Sequence, residues 1–128
     1  MTALYDENRF YLLDRGEASR SLSGFSFERI NDDGTFGNRF QGWVWQQQYL
    51  KVIQPNRCVS LKLIGAKFPY LDPVECDRRA LSILNLPAES DQIFWTVNAT
   101  SSQFRVLWLD EEIGRCGISA GTCDFYVP

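Results

Sequence analysis

Residues 25–34 have the sequence Phe-Ser-Phe-Glu-Arg-Ile-Asn-Asp-Asp-Gly, and this stretch decides the fold class. Phe25 and Phe27 alternate with polar residues, which is the two-residue period of a half-buried β-strand. The Asn, Asp and Gly residues that follow supply the backbone conformations of a tight turn. The aromatic-rich segment 39–45 then predicts the returning strand, in which Gly42 marks a bulge or a close backbone approach. The stretch therefore predicts a β-hairpin.

On both sides of this hairpin the chain shows strand patterns and almost no helical one. Further strands are predicted at 10–13, 58–63, 93–97, 104–109, 113–118 and 122–127, the last two closing the chain as a hairpin. Segment 104–109 is the most continuously apolar, which predicts a central strand covered on both faces. Only residues 78–84 suggest a helix, of one or two turns, because Pro87 follows closely. About eight short strands predict an all-β sandwich or barrel, in one domain that spans residues 1–128.

Composition excludes several classes of function. The chain has 128 residues, a formal net charge of −3, 45% hydrophobic residues and no histidine. The apolar fraction is too high for a disordered chain, and no apolar run of about 18 residues could cross a membrane. The acidic balance argues against a nucleic-acid partner. Without histidine there is no Ser-His-Asp or Cys-His activation and no histidine-containing metal site, and no cofactor is expected.

The four cysteines permit three pairings. Between Cys116 and Cys123, a four-residue loop ending in a left-handed Gly121 would place the two cysteines opposite each other within disulfide range. Cys58 would then pair with Cys76 and fasten the long proline-containing connection between them. The spacings differ from the paired CxxC motifs of zinc sites, so two disulfides are favoured over buried free thiols and over zinc.

The cysteines and the N-terminus point to different compartments if the chain is taken as a whole protein. Two disulfides indicate an extracellular or periplasmic location. The N-terminus shows no basic region, apolar stretch and cleavage site of the kind that make a signal peptide. We therefore expect either a domain excised from a larger protein or a mature fragment, in both cases with an added start Met.

The candidate ligand-binding residues are Trp43, Trp45 and Tyr49. Trp43 and Trp45 are two residues apart, so on a strand they share one face. If that face is exposed, it would suit the stacking of sugar rings that carbohydrate-binding sandwiches use. The alternative is that these aromatic side chains pack in the core.

Acidic clusters at Asp6-Glu7-Asn8, Asn31-Asp32-Asp33 and Asp110-Glu111-Glu112 offer hard oxygen ligands, which leaves calcium as an open alternative. Glycoside hydrolysis needs a carboxylate pair in which one member has a raised pKa, and no pattern marks such a residue. Asn98-Ala99-Thr100 fits the N-glycosylation sequon, which matters only in a eukaryotic host. We therefore assign no catalytic residue and no metal ligand.

Two groups of short motifs carry a resemblance. The first is Phe10-Tyr-Leu-Leu13, Leu22-Ser-Gly-Phe25-x-Phe27, Phe40-x-Gly-x-x-Trp45 and Pro55-x-x-Cys58-Val-x-Leu61, which resembles bacterial extracytoplasmic β-domains of unknown function. The second is Phe94-Trp-Thr96, Phe104-x-Val-x-Trp108, Ile113-Gly-x-Cys116 and Cys123-x-Phe-Tyr-Val-Pro128, which resembles C-terminal modules of multidomain bacterial proteins. Some of those modules follow membrane-anchored serine/threonine kinase domains. The Leu-Ser-Gly-aromatic turn also resembles the opening of lamin-tail-like immunoglobulin folds.

The resemblance implies an immunoglobulin-like antiparallel β-sandwich of about seven to eight strands with at most one short helix. It also implies an extracellular sensing or adhesion module and assigns no catalytic residue. We expect a non-catalytic interaction or sensor module whose partner is a protein or, alternatively, a glycan, without nucleic-acid binding or direct membrane insertion. The alternatives are a carbohydrate-binding module that uses the Trp43 and Trp45 face, and a small hydrolase. The oligomeric state stays open.

Overall fold

The structure is a computed structural model that describes residues 1–48, 50–65, 73–76 and 82–128. The strands are β1 (Thr2–Tyr5), β2 (Arg9–Leu13), β3 (Arg20–Ser21), β4 (Phe25–Asn31), β5 (Phe36–Gln41), β6 (Val52–Ile53), β7 (Cys58–Leu63), β8 (Ser82–Leu86), β9 (Ser101–Trp108), β10 (Glu111–Gly117) and β11 (Thr122–Asp124). Short 3₁₀ segments lie at Leu22–Gly24, Gly42–Gln48 and Ile118–Ala120. The predicted all-β fold is confirmed, and the described residues contain no α-helix.

The strands form two main sheets that pack as a sandwich. One has the order β11-β1-β2-β7-β8, the other the order β10-β9-β4-β5, and β3 pairs with β6 in a separate two-stranded ribbon. Phe10 of β2 meets Phe27 of β4 with ring centroids 5.1 Å apart, so the two sheets share one core. The described strand pairs are antiparallel as expected, except that β8 runs parallel to β7. Eleven strands exceed the expected seven to eight because several are only two or three residues long.

The predicted hairpin of β4 and β5 is confirmed. Phe25 and Phe27 are buried, as their alternation with polar residues predicted. The Asn31 N–H donates to Thr35 O and the Gly34 N–H donates to Asn31 O, which closes the turn. Gly34 has a φ of 88°, a conformation that glycine adopts without steric cost.

The core is mainly aromatic. Its largest fully buried side chains are Trp45, Trp95, Phe10, Phe25, Phe27, Phe40, Phe94 and Phe104. Phe94 enters the core from a loop, where it stacks on Phe27 at 5.0 Å and packs edge-on against Phe10 at 4.9 Å. The predicted strand at 93–97 is therefore wrong, because these residues form a loop in which Ile93, Phe94 and Trp95 are buried and Val97 is exposed.

Arg29 of β4 fixes this loop from beneath. Its guanidinium donates to the carbonyl oxygens of Ile93 and Thr96 and to the hydroxyl of Ser101. Arg29 is 4% exposed, and this burial lowers the pKa of its guanidinium. Within the described part of the chain no carboxylate pairs with it, so backbone and hydroxyl oxygens solvate the charge.

Three other expectations need correction. The helix predicted at 78–84 is wrong where the structure describes it, because residues 82–84 belong to β8, and 78–81 lie outside the described residues. The prediction that segments 113–118 and 122–127 pair as a closing hairpin is wrong, because β10 pairs with β9 whereas β11 pairs with β1. β9 is a central strand as predicted, but its outer face buries only Leu107 and leaves Gln103 exposed.

Across the described ranges, the chain contains no helix with the length and apolarity needed to span a membrane.

Candidate functional site

Trp43 and Trp45, the two tryptophans predicted to form a sugar-stacking face, lie in different environments. The predicted strand at 39–45 ends at Gln41, and Gly42–Gln48 forms a 3₁₀ segment. Successive residues of such a segment turn by about 120°, so side chains two positions apart do not share a face. Trp43 is 52% exposed, whereas Trp45 is fully buried. The prediction that Trp43 and Trp45 share one face is therefore wrong. The third predicted residue, Tyr49, lies outside the described residues.

Trp45 has a structural role. Its ring packs edge-on against Phe40 at 4.8 Å, and its indole N–H donates to the Ser60 carbonyl at 3.1 Å. Gly42, the first residue of the 3₁₀ segment, lies so close to Leu22 that any β-carbon there would collide with the Leu22 carbonyl oxygen. This is the close backbone approach, one of the two alternatives that the sequence predicted at Gly42. In the segment that follows, Trp45 is buried and Trp43 is exposed.

Two exposed apolar side chains follow strands that end at the same edge of the four-stranded sheet. Leu109 follows β9 and Trp43 follows β5, and Leu107 and Gln41 near the ends of these strands both pair with Ser26 of β4. A two-residue turn, Leu109-Asp110, joins β9 to β10 and is closed by the pair Trp108 and Glu111. Both turn residues have positive φ, 51° and 66°, which is the geometry of a type I′ turn. The Leu109 side chain is 69% exposed. We call Trp43, Leu109, Asp110 and Glu111 the hairpin-end surface.

The Leu22–Gly24 turn connects the two halves of this surface. On one side the Leu109 N–H donates to the Gly24 carbonyl at 2.8 Å. On the other side the turn contacts the 3₁₀ segment that carries Trp43. A side chain at Gly24 would collide with the ring of Trp108. Trp43 and Leu109 are therefore presented by one packed unit of backbone.

Two further contacts hold the hairpin itself. The Trp108 ring packs edge-on against Phe25, with centroids 4.8 Å apart, and anchors the end of β9 to the core. The Arg39 guanidinium donates to the Asp110 carboxylate at 3.0 Å and ties the turn to β5. The exposed side chains thus sit on a backbone that is fixed from below.

Leu109 is an unusual residue for its position. A left-handed backbone costs a residue with a β-carbon about 1–2 kcal/mol, and type I′ turns favour Asn, Asp and Gly. Because the Leu109 side chain is mostly exposed, its burial does not offset this cost. An exposed leucine in a strained turn is explained neither by packing nor by turn chemistry, and such outliers cluster at functional sites.

Both predicted disulfides are confirmed. Cys58 is bonded to Cys76 and Cys116 to Cys123, with Cα–Cα distances of 5.4 and 5.6 Å, and no cysteine is free. Gly121 has a φ of 73°, the left-handed conformation that the sequence predicted. Because Cys116 lies in β10 and Cys123 in β11, the second disulfide joins the edges of the two sheets at one corner of the sandwich.

The acidic residues considered for calcium are engaged within their own turns. The Asp33 carboxylate accepts hydrogen bonds from the Thr35 hydroxyl and N–H, which lower the pKa of Asp33. Asp110 pairs with Arg39, as described above. No group of three or more His, Cys, Asp or Glu residues in the described ranges is arranged to hold a metal ion.

Glu28, a buried glutamate, belongs to a row of ion pairs on the outer face of the four-stranded sheet. Glu28 accepts from Arg105 at 2.6 Å and lies 3.7 Å from Arg39. Arg105 also covers the Phe36 ring at 3.6 Å. Arg105 also lies 3.4 Å from Glu112, so the two carboxylates share one guanidinium. Hydrogen bonds from Arg115 and Arg105 lower the pKa of Glu112, whereas the general acid of a glycoside hydrolase needs a raised pKa.

The sequon asparagine, Asn98, is exposed. Its side-chain oxygen accepts from the Thr100 N–H at 2.9 Å and from the Ser101 hydroxyl at 2.7 Å. Residues 98–100 thus form a surface turn. Its hydrogen bond to the Ser101 hydroxyl also holds that hydroxyl in place as an acceptor for Arg29.

The sequence singled out Trp43 but missed Leu109 and Arg29. The Trp-Leu-Asp-Glu sequence lacks the Asn-Gly or Asp-Gly pair of a two-residue hairpin and has Asp110 as its single turn residue, so the local signal for the turn was weak. An arginine within an alternating strand is usually assigned to the exposed face.

No protein-family model matches this chain, and no curated protein is significantly similar to it. Function is therefore inferred from the geometry of the chain itself.

Proposed function

We propose that the chain is a non-catalytic binding module that works outside the reducing cytoplasm, as an extracellular or periplasmic part of a multidomain bacterial protein. The observation that carries this proposal is the hairpin-end surface, on which Trp43 and Leu109 are exposed on a packed backbone. Exposed aromatic and aliphatic side chains on rigid loops are typical anchors of protein interfaces.

The compartment follows from the two disulfides. Disulfides persist in oxidising compartments and are rare in the cytosol of mesophiles. By the loop-closure estimate, the 18-residue and 7-residue separations correspond to about 3 and about 2.5 kcal/mol of stabilisation. The fold thus gains a large share of an ordinary domain stability from bonds that a reducing compartment would break.

The chemistry of the described residues supports binding rather than catalysis. The chain has no histidine to act as a general base, and its four cysteines are oxidised to disulfides and do not serve as thiolate nucleophiles. Asp33 and Glu28 are held in a turn and in ion pairs, respectively. A protein is favoured over a glycan as the partner, because only one ring of the predicted sugar platform, Trp43, is exposed among the described residues.

The test uses the domain secreted with both disulfides formed. It is immobilised and exposed to extracellular and periplasmic proteins of its source bacterium and, separately, to a glycan array. Any captured protein is purified and titrated against the domain by calorimetry. We expect saturable one-to-one binding to a protein that survives EDTA. Saturable binding to glycans alone would transfer the function to the carbohydrate-binding alternative, and chemical conversion of the captured molecule would overturn the non-catalytic assignment.

A further inference from the structure

We infer that the hairpin-end surface inserts into an apolar pocket of a folded protein whose rim carries lysine or arginine side chains. This inference rests on the proposed function and names the chemistry of its partner. Three properties of the surface lead to it: its small apolar tip, the carboxylates beside that tip, and the strain stored at Leu109.

The apolar tip is small. Trp43 and Leu109 are 52% and 69% exposed, which corresponds to roughly 200 Å² of apolar area for side chains of this size. A stable interface buries about 800 Å² on each partner, so this tip alone does not make a symmetric dimer of the chain. Side chains of this size are typical of the anchor residues that fill a pocket at the centre of an interface.

Carboxylates flank the tip on its hairpin side. The Asp110 side chain is 86% exposed although it pairs with Arg39, and Glu111 is exposed as well. Leu109 therefore stands beside two negative charges. These charges repel anionic lipid headgroups and attract the ammonium and guanidinium groups of a protein, which makes a membrane surface the less suitable partner.

The strained turn makes the tip ready for binding. The Gly24 carbonyl and Arg39 fix the Leu109-Asp110 backbone in the conformation that projects the leucine outward. A tip that is already ordered loses little conformational freedom on association. Replacement of Leu109 by Asn would relieve the turn and remove the apolar group, so this variant separates binding from folding.

The experiment uses the full parent protein in its bacterium, with photoreactive benzoylphenylalanine in place of Trp43 as the probe. The matched control has the same probe in place of Val97, which is 74% exposed in the loop before β9, at the opposite end of that strand from Leu109. We expect irradiation to give one protein adduct from position 43 and none from position 97. Mass spectrometry should place the cross-link in a pocket that has lysine or arginine within its rim.

Second-site variants then test the chemistry. Leu109→Asn should lower the adduct yield at least tenfold while the melting temperature of the domain stays equal or rises. Glu111→Lys should also lower it at least tenfold, and exchange of the rim lysine or arginine for glutamate in the partner should restore it.

Each other outcome decides between the two proposals. A protein adduct that Leu109→Asn and Glu111→Lys leave unchanged would overturn this inference while leaving the proposed function intact. An adduct with lipid or glycan would overturn it in favour of that partner. Equal protein adducts from positions 43 and 97 would show that the hairpin end is not the specific surface. Absence of any adduct, together with failure of the calorimetric titration, would overturn both proposals.

Discussion

Replacement of Arg29 by Met tests how a buried guanidinium holds the loop that closes the core. Arg29 donates to Thr96 O, to Ile93 O at 3.1 Å and to the Ser101 hydroxyl at 2.8 Å. Methionine keeps most of the apolar stem and removes the charge, so the change isolates the hydrogen bonds from the packing.

The magnitude depends on which acceptors lose every partner. Ile93 O still accepts from the Asn38 side chain at 3.0 Å, and the Ser101 hydroxyl still donates to Asn98. The main orphan is the Thr96 carbonyl. Hydrogen bonds from a charged donor contribute about 1.5–3 kcal/mol each, and removal of the charge returns part of its desolvation cost. We therefore expect Arg29→Met to lower the free energy of unfolding by about 3 kcal/mol.

A lysine at the same position separates charge from geometry. Lysine keeps the positive charge and its desolvation cost but has a single nitrogen, which cannot reach acceptors on both sides of a guanidinium fork. Arg29→Lys should therefore destabilise the protein at least as much as Arg29→Met. If charge alone mattered, the lysine variant would instead match the wild type.

The assay is urea unfolding followed by tryptophan fluorescence, in which the midpoint and slope give the free energy of unfolding. Arg115→Met is the matched control, because the Arg115 side chain is 50% exposed and pairs only at the surface with Glu112. We expect the control to change stability by less than about 1 kcal/mol. An Arg29→Met protein within 1 kcal/mol of the wild type, or a fully stable Arg29→Lys protein, would refute the reasoning.

Three further perturbations give measurable results. Burial raises the pKa of Tyr5 to about 12, so the folded state keeps a proton that the unfolded state loses near pH 10, and stability should fall as pH rises from 10 to 12. The free energy of unfolding measured with urea should be about 2 kcal/mol lower at pH 11.5 than at pH 9, and the Tyr5→Phe variant should lose less stability over the same pH range. In the same assay Trp45→Ala should cost about 3–5 kcal/mol, whereas Trp43→Ala should cost less than about 1 kcal/mol; equal costs would contradict the assigned burial. Joint replacement of Cys116 and Cys123 by Ala should cost about 2.5 kcal/mol, and an unchanged midpoint would show that the corner disulfide does not stabilise the fold.

Features with a purely local cause were predictable from the sequence. The alternation of Phe25 and Phe27 with polar residues correctly predicted a strand that buries both phenylalanines, but Ser26 and Glu28 on its other face are buried as well. The Asn31–Gly34 turn followed from turn chemistry. For Gly42 the sequence predicted a bulge or a close backbone approach, and the structure has the close approach, to the Leu22 carbonyl. The strand and the turn depend on a few neighbouring residues, whereas the partner of Gly42 is distant in sequence.

Features that depend on distant partners were predicted incorrectly. Residues 93–97 are as apolar as a strand, but they form a loop because the Arg29 side chain satisfies their carbonyls in place of a neighbouring strand. Residues 82–84 were assigned to a helix, but they extend as part of β8 and pair with β7. Short apolar runs have no decisive period, so tertiary contacts select their conformation.

The prediction that Trp43 and Trp45 share one face was wrong for a related reason. Trp43 and Trp45 would share a face only if the strand continued past Gln41, and a 3₁₀ segment begins at Gly42, beside the Leu22 carbonyl, instead. The surface that replaces the predicted platform then depends on Leu109, whose exposure follows from two positive φ angles that its residue type does not favour.

The corner disulfide shows that a correct pairing does not establish the topology around it. Cys116 and Cys123 are only seven residues apart, so almost any compact loop that reverses at a left-handed Gly121 brings their Cα atoms within disulfide range. That constraint holds whether the flanking strands pair with each other or turn away into different sheets. The choice between the two is made elsewhere, because β11 hydrogen-bonds to β1, and Phe125, one residue beyond β11, is buried. The N-terminal strand therefore determines the sheet of the C-terminal one, and the disulfide then locks the corner between the two sheets.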